Sequence, residues 1–203
     1  MSTRADAAAE KRRKILDASI HVFARQGFNN GRISDIADEA GVAHGLVYHY
    51  FDSKEAILDE LFSERWELLV EAIANVADGD ASAREKLSQV AHFIVDSYRY
   101  DPDLMRVIIV EVTRAVNSFG QTHLEEIREA YDLIAEIVRR GQAAGEFRDE
   151  IAPDYAALAF YGATEQVLTG WIFDLMPAEP EDFEKASKFI VETVCGGLGT
   201  PAH

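Results

Sequence analysis

The stretch from Ile33 to Phe51, ISDIADEAGVAHGLVYHYF, holds the side chains whose types and spacing point most directly to chemistry. Two short helical patterns meet there at Gly41. Ile36, Ala37, Ala40, Val42, Val47 and Phe51 supply the apolar positions that hold two such helices at a wide angle against a third, with small Ala37 allowing close approach. This is the pattern of a helix-turn-helix over residues 32–51. On its second helix the outward set, His44, Gly45, Leu46, Tyr48 and His49, contains no carboxylate, which suits a surface that meets phosphates and base edges in a major groove. The chain offers no rival chemistry: it has no nucleophile elbow, phosphate loop, HExxH zinc sequence or dinucleotide fingerprint, so no enzymatic activity and no cofactor are expected. His92 and His123 stand singly on helices, the setting of structural or exposed histidines, and no metal site is expected. Cys195, the one cysteine, leaves no partner for an internal disulfide or for a zinc site of the usual kind.

The elements that must position these residues are helical throughout. Apolar residues recur at three- and four-residue spacing and no period-two runs are bounded by turn signals, which predicts an all-α protein of about nine helices. A first helix over about Ala8 to Gln26 buries Ile15, Leu16, Ser19, Val22 and Phe23 and ends at Gly27. Two short helices follow, over about Arg32–Glu39 and His44–Phe51. Ser53 caps a long fourth helix carrying Ile57, Leu58, Leu61, Phe62, Trp66, Leu69, Val70, Ile73 and Val76. Ser82 caps a fifth reaching Tyr100, and Asp101-Pro102 starts a sixth that gives out near Asn117 to Gly120. The seventh is expected over about Gln121–Ala144, the eighth from Pro153 to Met176, and the ninth over about Glu181–Cys195.

The formal net charge of −16 is at first sight wrong for a partner of nucleic acid, but its distribution is uneven. Residues 1–56 carry eight basic and eight acidic side chains, so the whole excess lies in residues 57–203. An acidic body repelled by phosphate turns the neutral, locally basic end toward a duplex, with salt-sensitive affinity; most of the carboxylates serve solubility. No apolar run approaches the ~20 residues of a membrane span, and the small, polar start Met1–Glu10 lacks a secretory signal, so a cytoplasmic protein is expected.

Arg12 through Leu61 resembles the TetR family of transcriptional regulators. The likeness is carried by RxxIL at the start, ARxGF after the first helix, ISDIAxEAGV, and GxVYHYFxSKExIL, in order and at the right spacing. It implies a DNA-binding head (residues 9–69) and an effector-binding and dimerisation body (residues 70–203) of a homodimer on a palindromic operator, most simply a repressor released by a small apolar effector. Position by position it implies Tyr48, His49 and Lys54 on phosphates and His44, Gly45 and Leu46 near base edges; Arg32, Ser34 and Ala43 complete the set. Family members often carry hydroxyls where this chain has Gly31, Ala43 and Leu46, and Arg32 stands in for one of these contacts.

In the body the resemblance implies a ligand pocket among the fifth to eighth helices. Phe93, Met105, Ile109, Phe160, Leu168 and Trp171 are apolar enough to line it, although core is the commoner fate of such residues. Arg99, Arg106 and Arg114 are expected either to meet an anionic ligand or to pair with Asp96, Asp103 or Glu111. The stretch FYGATEQVLTGWIF, with EVTR at Glu111–Arg114, is similar to the FadR-like branch that senses fatty acyl-coenzyme A; another hydrophobic metabolite or a drug is the alternative effector. Gly162, Gln166 and Gly170 on the eighth helix, with Phe183, Phe189 and Ile190 on the ninth, are the expected dimer face, since glycine inside a helix costs ~1 kcal/mol unless another helix approaches closely.

Overall fold

The computed structural model describes residues 4–111 and 123–198, and every element among them is helical. The chain divides into two compact units, one of residues 1–65 and 103–121 and one of residues 66–102 and 122–203. The expected end of the sixth helix, the start of the seventh, and Arg114 lie outside the described residues.

In the first unit, α1 (Arg4–Gln26) begins four residues earlier than expected and ends where Gly27 turns left-handed. Ile15, Leu16, Val22 and Phe23 are buried along it, as is Ser19, whose hydroxyl donates to the Ile15 carbonyl at 2.6 Å. α2 (Ile33–Ala40) packs on α1 and on α3 (His44–Tyr50). Gly41 between them has φ 66°, the left-handed conformation a side chain resists, and its N–H reaches back to the α2 carbonyls, so the turn is made by that residue. Ile36, Ala37, Val47 and Phe51 are buried, as are Ile57, Leu58, Leu61 and Phe62 of the long α4 (Lys54–Asp78), whose start is capped by the Ser53 hydroxyl accepting from the Ala56 N–H. Ion pairs from Arg12 to Glu60 and from Arg13 to Glu64 tie α1 to α4. α6 (Pro102–Arg106) passes at Val107–Glu111 into a π-helical turn that touches α1.

The second unit contains the rest of α4, α5 (Ala83–Tyr100), α7 (Leu124–Ala143), α8 (Pro153–Ile172) and α9 (Pro180–Leu198). Ser82 and Glu85 cap α5 reciprocally, the Ser82 hydroxyl accepting from the Glu85 N–H while the Glu85 carboxylate accepts from the Ser82 N–H. The carboxyl end of α4 receives two cations: Lys86 Nζ and Arg140 Nη1 donate to the Ala77 carbonyl at 2.8 and 3.1 Å, complementing the helix dipole. α5 packs against α9 and α7, and α8 lies between α7 and α9.

α8 stops four residues short of the expected Met176. Asp174 takes a left-handed φ of 54° and the Leu175 N–H bonds the Gly170 carbonyl at 2.8 Å, which turns the chain back on the helix end. Met176 then fills the space over Gly170, where a methyl group would meet its sulfur at 2.9 Å. The close approach expected at Gly170 from another helix is made instead by the chain's own Met176.

Among the described glycines, Gly141 has the closest neighbours. A Cβ there would lie 2.6 Å from both the Ala83 methyl and the Phe147 ring, where α7 crosses the start of α5. Gly141→Ala is expected to destabilise the protein by ~1–3 kcal/mol through overpacking, read as a lowered midpoint of thermal unfolding; an unchanged midpoint would contradict this packing.

Candidate nucleic-acid interface

The loop after α1, the first turn of α2 and the outer face of α3 enclose a polar groove lined by Asn29, Asn30, Gly31, Arg32, Ile33, Ser34, His44, Tyr48 and Lys54. It forms because α2 and α3 use their inner positions for the core and leave the rest to solvent. Ala43, His44, Gly45 and His49 are exposed, and Tyr48 is 51% exposed despite its aromatic ring. The Tyr48 ring lies edge-on to His44 at 5.3 Å, which fixes both side chains on one face of a short helix. Leu46 is half-buried, so its expected place among the base-edge residues is only partly open to a ligand.

Arg32 is the residue before α2, and its N–H donates to the Asp35 carboxylate at 3.2 Å, leaving the guanidinium exposed with no ion pair among the described residues. Ser34, in the first turn, is exposed, and its hydroxyl makes no hydrogen bond among the described residues. The space at Gly31 is tight: a Cβ would lie 3.1 Å from Phe23 and 3.2 Å from Val22, so a hydroxyl residue there requires those side chains to give by a few tenths of an ångström.

Lys54 is in the groove, but its donors are spent. The ammonium donates to the carbonyls of Phe28 (2.8 Å), Asn29 (3.2 Å) and Gly31 (3.4 Å) and lies 4.6 Å from the centre of the Phe28 ring. An ammonium has three donors, and in this structure all three are directed at backbone carbonyls.

In the second unit Phe160, Leu168 and Trp171 are buried and Phe93 is half-buried. Arg99 is exposed and pairs with Asp96 at 3.9 Å. Met105, Arg106 and Ile109 belong to the first unit, where Met105 is buried and the other two are half-buried. His92 meets the Ser88 carbonyl and Glu184, and buried His123 meets Glu126 at 2.6 Å. No group of three or more metal-ligating side chains occurs among the described residues, nor is any described helix long and apolar enough to cross a membrane.

Residues 15–61 match the family of bacterial regulatory proteins described as the tetR family, and residues 84–194, more than half of the chain, match the tetracyclin repressor-like C-terminal domain. The chain belongs to the TetR family. Among relatives of this TetR-family chain, the fatty acid metabolism regulator protein of Bacillus subtilis is 27% identical over 185 residues, covering 91% of this chain and 94% of its own. The transcriptional repressor KstR2 of Mycolicibacterium smegmatis is 27% identical over 194 residues, covering 94% and 91%. The crystal structure of the regulator FadR from Bacillus subtilis in complex with stearoyl-CoA superposes with a TM-score of 0.81 at 26% identity, over 92% of this chain and 98% of that one. A TetR-family chain is a transcriptional regulator and not an enzyme, and its all-α fold is the one expected.

Two parts of this TetR-family structure depart from expectation or went unforeseen. Of the expected dimer face, Gly162 lies open and Gln166 and Phe189 are exposed, whereas Ile190 is fully buried within the chain and half-buried Phe183 lies edge-on to Trp171 at 5.0 Å and tilted to Tyr98 at 6.4 Å. Ile190 is a core side chain of its own subunit because α9 turns that position toward α5 and α8, whereas Phe183 stays half-buried. The unforeseen part is Glu165, half-buried with no hydrogen bond or ion pair among the described residues, one turn beyond Tyr161. Tyr161 meets Tyr131 at 5.2 Å and Trp66 at 5.9 Å. Burial raises the Glu165 carboxyl above the ordinary carboxylate range, and burial, then the Glu165 charge, pushes the Tyr131 phenol up to about 12. The signal was present in sequence as the one carboxylate between Phe160 and Ile172.

A carboxyl whose folded pKa is raised holds its proton more tightly in the folded state, so its effect on stability is absent below the ordinary value of 4.5 and becomes a loss as pH rises through the folded value. Glu165→Gln is expected to raise the unfolding midpoint at neutral pH by roughly 2 °C and to leave it unchanged near pH 4. Equal shifts at both pH values would contradict the desolvated carboxylate.

Proposed function

We propose that this TetR-family chain is a homodimeric repressor that reads a palindromic operator with residues 9–69 and is released by a long-chain acyl-coenzyme A bound in residues 70–203. The observation that carries the effector class is the relative at FadR: similarity runs through both units to a regulator of fatty acid metabolism, and the solved structure of FadR from Bacillus subtilis holds stearoyl-CoA. The buried aromatic and aliphatic side chains around Phe160, Leu168 and Trp171 give the body the apolar character an acyl chain needs, and exposed Arg99 offers a cation for phosphate.

At the operator, Arg32, Ser34, Tyr48 and His49 bond phosphates and so set the register, while His44, Gly45 and the open part of Leu46 meet base edges. Ala43 precedes α3 without a side-chain cap, so it contributes only its small size there. The dimer forms through the outer faces of α8 and α9. Tyr155, Leu158, Gly162 and Gln166 follow one another along α8, Phe173, Leu175 and Met176 come just after its end, and Phe189 lies on α9; Tyr155, Leu158, Phe173, Leu175, Met176 and Phe189 are exposed large apolar side chains. Effector binding shifts the population toward dimers whose heads no longer match two successive major grooves about 34 Å apart. α4, which runs through both units, carries that shift.

The test is a titration of stearoyl-CoA, kept below its micelle concentration, into the protein bound to a fluorescent duplex recovered by selection from a random pool. Falling anisotropy at low micromolar ligand, with no fall for coenzyme A alone, is the expected result. A stable complex throughout would remove the acyl-coenzyme A effector while leaving the regulator itself in place.

A further inference from the structure

We propose that Lys54 is a positioning residue of the DNA interface, clamping the loop between α1 and α2 by its backbone carbonyls rather than bonding a phosphate itself. The inference rests on the DNA-binding reading of the groove above. Three carbonyls, of Phe28, Asn29 and Gly31, converge on the one ammonium, and the ring of Phe28 lies against its face. Phe28 is itself fixed by an edge-on contact to buried Phe23 at 5.2 Å, so the clamp is anchored in the core of the head.

Each trans peptide sets its N–H opposite its carbonyl, and no cis bond interrupts the described chain. Pulling the three carbonyls onto Lys54 therefore turns the N–H groups of Asn29, Asn30 and Arg32 away from it. The Arg32 N–H goes to Asp35, which starts α2 and sets the direction in which the Arg32 and Ser34 side chains leave the backbone. The loop has few other ties: the Gly31 N–H bonds the Gly27 carbonyl at 3.0 Å and the Asn30 amide bonds the Gln26 carbonyl at 3.1 Å. A carbonyl cluster of this kind would repel a phosphate if the ammonium left it, so the clamp and direct phosphate binding exclude each other. Because Lys54 opens α4, a shift of that helix also moves the loop.

The test begins with lysine acetylation of the wild-type protein, free and bound to the selected duplex, read by mass spectrometry. A clamp makes Lys54 slow to react in the free protein relative to exposed Lys11, with no further protection on DNA. A Lys54 that reacts as fast as Lys11 when free and is protected by DNA overturns the proposal. The second arm is Lys54→Met, which keeps the alkyl stem. It is expected to weaken duplex binding about tenfold, to leave the slope of log K against log salt nearly unchanged, and to shift the amide resonances of Asn29 to Ile33. A slope reduced by about 0.9 with those resonances unmoved means a phosphate ligand and again overturns it. If the variant does not fold, the acetylation pattern of the wild type decides. If the wild type binds no duplex, the DNA-binding reading fails while the free-protein acetylation still tests the clamp.

Discussion

A helix of seven residues has almost no stability of its own in water, because nucleation consumes most of what its few hydrogen bonds return. α3, His44–Tyr50, is such a helix and lacks even a side-chain cap. It persists because Val47 and Phe51 are buried, with Arg12 of α1 over the Phe51 ring, and because Gly41 turns the chain tightly enough to lay α3 on α2. Everything the head presents follows from that burial. With the inner positions committed, His44, Tyr48 and His49 have nowhere to go but outward, and the groove beside Arg32 and Ser34 is the remainder of a packing problem solved on the other side.

Electrostatics complete the arrangement. Residues 1–56 are formally neutral, and several acids of the head are taken up in pairs within it. Glu60 and Glu64 hold Arg12 and Arg13, Glu39 holds Arg25, and Asp35 accepts the Arg32 N–H. Exposed pairs of this kind contribute little stability, about 0–1 kcal/mol each; their effect is to keep carboxylates off the groove while Arg32 stays open. The acidic excess sits after residue 56, where repulsion from a polyanion favours approach by the head.

Periodicity and caps made most of the fold legible. Ser53 and Ser82 open α4 and α5 as their residue types require, and Gly27, Gly41 and Gly145 all take left-handed conformations at helix ends. The end of α8 was not legible, since Asp174 adopts a conformation that sequence assigns by default to glycine or asparagine. The exposed set on α3 followed from the absence of carboxylates and from spacing. The state of Lys54 did not, because carbonyl oxygens from a loop more than twenty residues earlier leave no trace in residue types. The same holds for Ile190. A stripe on a terminal helix reads identically whether its partner is α5 of the same chain or a second subunit, and only the packed structure separates inner Ile190 from Phe189, its outward neighbour.

The account stands or falls on whether α2 and α3 of two subunits engage DNA as a pair. Hydroxyl-radical footprinting of the protein on its selected duplex tests this most directly. The account predicts two protected windows on one face of the duplex with centres about 34 Å apart, one helical turn. A single window, continuous protection, or none would contradict it.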